Sequence, residues 1–211
     1  MVNRGIQKSD NNLNEIENYL YEGRELYLHI KDKLDGFGAN YLSLFVINPE
    51  KFTNATKELV KVLCDDHSLN GIYLTVNKPY NTLVDSFNER GIDVNKLLFI
   101  DCVSQKLNPA IELDGKYYFI ESPSDLTQLE IYLQKAIADM PPGEIFIILD
   151  SISTLLVYHK KEIVEKFIHL LATKVRRKKD ARGILIAVNS KAEGDFIDCI
   201  SQFCDYSIRI D

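Results

Sequence analysis

Four features are scarce or missing along the 211 residues, and each absence excludes something. No run of about 18 consecutive apolar residues occurs, so no membrane-spanning helix is expected. The opening stretch MVNRGIQKSDNNLNEIE lacks the apolar centre of a signal peptide, which makes a cytoplasmic location the expectation. Cysteine is sparse: Cys64, Cys102, Cys199 and Cys204 show neither the CxxC nor the Cys/His spacing that holds zinc. Reduced, buried thiols are the simplest reading, with a Cys199–Cys204 redox pair as the alternative. Finally, LFVINPEKFTNATKELVKVL (Leu44–Leu63) runs from an apolar strand into a helix without one glycine.

The remaining composition suits a globular chain. With 45% hydrophobic and 27% charged residues it can bury a core without disulfide staples. A net charge of -6 argues against nucleic acid as the main partner, because neutralising phosphates supplies most of that affinity.

Residues 1–40 read as a polar tail followed by a helical arm. Leu13, Ile16, Tyr19, Leu20, Tyr27 and Ile30 recur at helical spacing up to about Leu34, and Gly23 interrupts the pattern. Residues 41–211 read as one α/β domain. YLSLFVI, GIYLTVN, KLLFIDC, EIFIILD, GILIAVN and YSIRID are strands, and their nearly continuous apolar character marks burial on both faces. Helices are expected over about Thr53–Cys64, Tyr80–Arg90, a segment capped by Ser124, Ser153–Lys179 and Asp195–Phe203. Asp114-Gly115 between β-prone flanks reads as a hairpin turn. The alternation predicts a three-layer, doubly wound, mostly parallel sheet with an N-terminal helical arm and a β-hairpin insertion.

In such sheets ligands gather at the carboxyl ends of the strands, here Asn48, Asn77, Asp101, Asp150 and Asn189. IFIILDSISTLL places Asp150-Ser151 directly after an apolar strand. With GIYLTVNKPYNTLVDSFNERGIDVNKLLFIDC before it and the order of elements through CDYSIRID, the chain from Tyr41 to Asp211 resembles the KaiC branch of the RecA-like ATPases. The resemblance implies a nucleotide-binding fold in which Asp150 would orient the water shell of a nucleotide-bound magnesium ion.

The departures bear on activity. A phosphate loop, G-x-x-x-x-G-K-[ST], needs backbone freedom at its glycines, a lysine for the phosphates and a hydroxyl for magnesium. Counted from Asn48, those places hold Asn48, Thr53, Asn54 and Ala55. Sliding one residue restores Thr56 but puts Ala55 in the lysine place, and sliding three gives Lys57 followed by Glu58. KaiC-like ATPases also carry a glutamate after the second strand, where this chain has Asn77-Lys78. The expectation is therefore a catalytically inactive KaiC/RecA-like domain that binds an unknown protein partner in a regulatory or signalling role, in an archaeal setting. No cofactor is expected. The alternative is a non-hydrolysing ATP sensor using Asp150, Ser151, Thr53, Asn54, Asn48 and Asn77, and a third reading is a recombinase-like accessory protein holding DNA through Lys174–Lys179.

Other chemistry has simpler readings. His159 and His169 lie ten apart, about 80° off one helical face, which does not suit a shared metal. The 174–179 basic run reads as the solvated end of a helix, Cys64-Asp65-Asp66-His67 as a polar loop, and Asp101 as a turn cap. The arm reads as packing on its own sheet, or as a contact in a homo-oligomer.

Overall fold

The computed structural model describes residues 23–104 and 117–211. Seven strands form one sheet in the order β4-β3-β2-β5-β6-β1-β7: β1 (Tyr41–Ile47), β2 (Asn70–Thr75), β3 (Leu97–Asp101), β4 (Tyr117–Phe119), β5 (Ile145–Asp150), β6 (Ala181–Val188) and β7 (Tyr206–Ile210). Every pairing among them is parallel. All residues of β1, β3 and β5 are buried, which is why these strands read as unbroken apolar runs.

Side chains alternate between two cores. Leu42, Leu44 and Val46 of β1 pack with α4 (Leu126–Asp139), α5 (Ile152–Tyr158), α6 (Lys161–Arg177) and α7 (Gly194–Ser201). Tyr41, Phe45 and Ile47 point the other way, onto α1 (23–35), α2 (Phe52–Lys61) and α3 (Tyr80–Glu89). Burying one large apolar side chain is worth about 1.5–3 kcal/mol, so these two interfaces supply most of the drive to fold. Gly71 has a packing reason: a Cβ there would sit 2.1 Å from the Phe146 ring, which covers it from the adjacent strand.

Several boundaries differ from expectation, each for a local reason. The long helix expected over Ser153–Lys179 is two helices. His159 is extended (φ -137°, ψ 154°), and its Nε2 lies 3.0 Å from the Pro123 carbonyl oxygen. Asp125 rather than Ser124 caps α4, its carboxylate accepting from Gln128 N–H at 2.8 Å. The helix after β1 ends in a π-helical turn, Val62–Asp66. The hairpin at Asp114-Gly115 and the arm residues before 23 lie outside the described residues; Tyr117–Phe119, expected as the hairpin's return arm, is an edge strand parallel to β3.

Cys64–His67, expected as a polar loop, is the end of that π-helical turn with Cys64 buried, and its Asp66 and His67 fasten α1 to the core. Tyr27 donates to Asp66 Oδ2 at 2.7 Å, and His67 Nε2 lies 2.8 Å from Asp35 Oδ1. Arg182 Nη1 stands 2.7 Å from His67 Nδ1 and Arg182 Nη2 donates to Glu144 at 2.7 Å. A guanidinium can only donate, so Nδ1 accepts and the ring proton facing Asp35 is on Nε2. Buried Ile30 and Leu34 complete the attachment.

Candidate functional site

The carboxyl edge of the sheet collects the ends of β1, β2, β3, β5 and β6. After β1 the chain makes one 3-10 turn, Pro49–Lys51, and enters α2 at Phe52. Pro49 stands at the first position of that turn, where a missing N–H costs nothing. Asn48 N–H donates to the Ile210 carbonyl at 2.9 Å, while its side-chain oxygen accepts from Asn189 Nδ2 at 2.8 Å. The two strand ends of β1 and β6 are thus joined.

Thr53, exposed in the first turn of α2, accepts from Lys78 Nζ at 2.9 Å. Lys78 follows β2, where Thr75 Oγ1 donates to its carbonyl at 2.6 Å and accepts from its N–H at 3.1 Å, fixing the turn. Asn54 points elsewhere. It lines a cleft of about 850 Å³ together with α1, Lys51 and Arg209, and Lys51 Nζ donates there to the Asp211 carbonyl oxygen.

Asp150 is 1% exposed, and Tyr73 OH donates to its Oδ2 at 2.5 Å. Its Oδ1 has no hydrogen-bond partner. Burial pushes the Asp150 carboxyl up to about 6, against opposing pulls from the Tyr73 hydroxyl, Lys78 and Asn77. The Tyr73 hydroxyl is raised well above its usual range by the same burial and by the neighbouring carboxylate, so it remains the donor. Ser151 is fully buried and caps α5, its oxygen accepting from Thr154 N–H at 3.3 Å. On the β6 side Val188 N–H donates to Ser153 Oγ at 3.0 Å, and Ser153 donates to Glu193 at 2.8 Å.

Of the six residues expected to form a site, Thr53 is bonded to Lys78, and Asp150 is acted on by Lys78 electrostatically and by Asn77 directly. Asn48 pairs with Asn189, Ser151 serves a helix, and Asn54 faces the separate cleft. Tyr73 and the cationic role of Lys78 were not anticipated. The signal for Tyr73 was a lone phenol between Ile72 and Leu74 in a buried strand, since a buried hydroxyl needs a partner.

Elsewhere the chemistry is structural. All four thiols are free. Burial pushes Cys64, Cys102 and Cys204 up to about 12 and raises Cys199 as well, which leaves no thiolate nucleophile at neutral pH. Among the described residues no group of three or more His, Cys, Asp or Glu could hold a metal, and no helix is long and apolar enough to cross a membrane.

A parallel sheet in this order, covered by helices on both sides and with a buried aspartate at the end of β5, has the RecA/KaiC-like fold. It is similar to the crystal structure of the KaiC-like protein PH0186 from the hyperthermophilic archaeon Pyrococcus horikoshii OT3, with a TM-score of 0.59 at 13% identity over 82% of this chain and 72% of that one. No curated protein sequence matches the chain. By sequence it belongs to the family of unknown function DUF7504, whose model matches residues 47–210.

Proposed function

We propose that this chain is a RecA/KaiC-like domain that does not hydrolyse ATP and works by binding another protein, in a regulatory or signalling role. The observation that carries the reading is the place taken by Lys78. Its ammonium lies on the Thr53 hydroxyl and pulls electrostatically on Asp150. Asp150 is the carboxylate that would face a nucleotide-bound magnesium ion, and here an internal cation pulls on it while bonding the first turn of α2.

The residues present do not fit magnesium-ATP. The β1–α2 connection is Asn48, whose side chain is already bonded to Asn189, followed by a single 3-10 turn, and it offers no glycine. Lys51 is turned to Asp211. No carboxylate follows β2 to activate water, and phosphoryl transfer depends on such positioning and charge stabilisation. The degenerate phosphate turn expected from the sequence is part of this proposal.

Millimolar magnesium-ATP is expected to leave the melting temperature unchanged, and the pure protein to release no phosphate above buffer. A binder with ligand far above its Kd would gain RT ln(1 + [L]/Kd) in stability. A rise of several degrees, or turnover lost in Asp150→Ala, would overturn the proposal.

One observation favours the second reading, a non-hydrolysing sensor: the unpartnered Asp150 Oδ1 is a buried acceptor available to a donor group. That reading gains if ATP alone, without magnesium, raises the melting temperature of the native chain but not of Asp150→Asn.

A further inference from the structure

The basic run that closes α6 has no part in the carboxyl edge. Five of the six residues 174–179 are Lys or Arg, in a chain of net charge -6, and Asp180 is the only carboxylate between Lys174 and Arg182. Two of these cations are engaged. Lys174 pairs with Glu130 of α4 at 3.2 Å, and Arg176 donates to the Phe203 carbonyl at 2.7 Å and lies 3.6 Å from Asp205. Arg177, Lys178 and Lys179 make no ion pair among the described residues. Cations at a helix end often serve its orphan carbonyls. Here Asn40 does so, its Nδ2 lying 2.7–3.0 Å from the carbonyl oxygens of Val175, Lys178 and Ala181. Carboxylates at this edge are taken as well, Glu144 by Arg182 and Asp139 by the Tyr118 hydroxyl. The fold leaves three positive heads without an internal task.

Those heads stand over a hollow. Lys174, Arg177 and Lys178 line a cavity of about 380 Å³ between α6 and α4, where Gln134 and Ile137 face them and Ile147 and Ala181 form the floor. That volume lies in the range of a ligand pocket, about 300–1,000 Å³. One helical turn before Gln134 and Lys174, Ile131 (60% exposed) and Leu170 (46%) add apolar surface. We propose that this hollow docks an acidic segment of a partner protein. An aliphatic side chain of the segment fills the space over Ile147 and Ala181, and its carboxylates meet Arg177, Lys178 and Lys179.

Charge sets the sign of the occupant, because unpaired cations beside an apolar cavity attract carboxylates, and arginine can hold one with two parallel bonds. The lining separates protein from nucleic acid. Proteins that hold single strands stack bases on aromatic side chains along a positive groove, and no aromatic residue lines this hollow. The free cations also span only residues 177–179, too short a stretch to track a phosphate backbone, and the net negative charge of the chain repels a long polyanion. A short acidic segment with an aliphatic anchor meets both the charge and the cavity. The inference rests on the reading of the chain as a protein-binding domain and gives that reading a surface at the amino edge, away from Asp150 and Lys78.

The test is fluorescence anisotropy with the full chain at low salt. The probe is a labelled octapeptide of Glu and Asp with two central leucines; one control carries serines for the leucines, a second carries lysines for the acids, and a third is an oligothymidylate. The native chain is expected to bind the probe roughly tenfold or more tightly than the serine control, and not to bind the lysine control. Arg177→Glu with Lys178→Glu should weaken the probe by roughly tenfold or more with the melting temperature unchanged, since neither head is paired. Gln134→Trp crowds the mouth of the hollow without altering charge, and should bring the probe down to the affinity of the serine control. No binding of the probe, equal affinity for probe and serine control, indifference to the charge reversal, or tighter binding of oligothymidylate than of the probe would each overturn it. These outcomes are separate from the ATP test: a chain that ignores both magnesium-ATP and the acidic probe loses this surface and keeps the reading at the carboxyl edge.

Discussion

Two buried aspartates end neighbouring parts of the same sheet, and they are treated in opposite ways. Asp101, at the end of β3, is completely buried and accepts from the N–H groups of Tyr80, Val103 and Ser104 at 2.7–2.9 Å, from Ser104 Oγ at 2.5 Å and from Tyr117 OH at 3.4 Å. Asp150, at the end of β5, is as deeply buried yet has one hydroxyl on one oxygen and nothing on the other. The first carboxylate is part of the architecture, organising the turn after its strand. The second is tolerated by the architecture. Burial of a charge without full pairing costs free energy, so what distinguishes a site carboxylate here is how poorly it is satisfied.

Four measurements would break or sharpen that contrast. The largest effect belongs to Asp101→Ala, which strands three backbone donors and should cost about 3–5 kcal/mol in urea unfolding. Asp150→Ala should cost less than about 1 kcal/mol at pH 8, where the loss of contacts is offset by removing a buried charge. Equal losses would erase the distinction.

Next is pH. The folded Asp150 carboxyl lies near 6, above its usual 3.8. The native state therefore holds a proton that the unfolded chain has released between these values, and stability falls as pH rises through the window. Below about 4 both states are protonated and the penalty vanishes; above about 6 it is complete at roughly 3 kcal/mol. The stability difference between the native chain and Asp150→Asn should open over that window and stay flat above it.

Tyr73→Phe removes the hydroxyl that donates to the Asp150 carboxylate. It should cost about 2 kcal/mol at pH 8 and move the Asp150 titration upward. Lys78→Met should have the smallest effect, under about 1 kcal/mol because the ammonium is partly solvated, with a small upward shift of the Asp150 carboxyl carbon titration. A downward shift would remove Lys78 from the site.

The fold was legible because its signals are local and redundant. Unbroken apolar runs such as Phe45-Val46-Ile47 and Ile147-Ile148-Leu149 mark buried parallel strands, and the helices between them leave few ways to connect the sheet. The break at His159 was not legible, since no Pro or Gly marks it and the extended backbone is secured by a contact with Pro123, 36 residues earlier. At the site, strand-end positions were readable from periodicity alone, which is why Asn48, Asp150 and Asn189 were singled out. Their partners were not. The Thr53–Lys78 bond joins residues 25 apart and the Tyr73–Asp150 bond residues 77 apart. Sequence gave the address of each side chain, but which two meet depends on strand order, and that is a property of the whole sheet.

The carboxamide clasp between Asn48 and Asn189 has a practical meaning for anyone seeking a small molecule for this edge. Both partners are neutral and each offers one donor and one acceptor arm, so charge gives a visitor no purchase there. A compound that parts them must bring its own amide-like pair to replace what it breaks, and a planar primary amide is a better starting fragment than any phosphate.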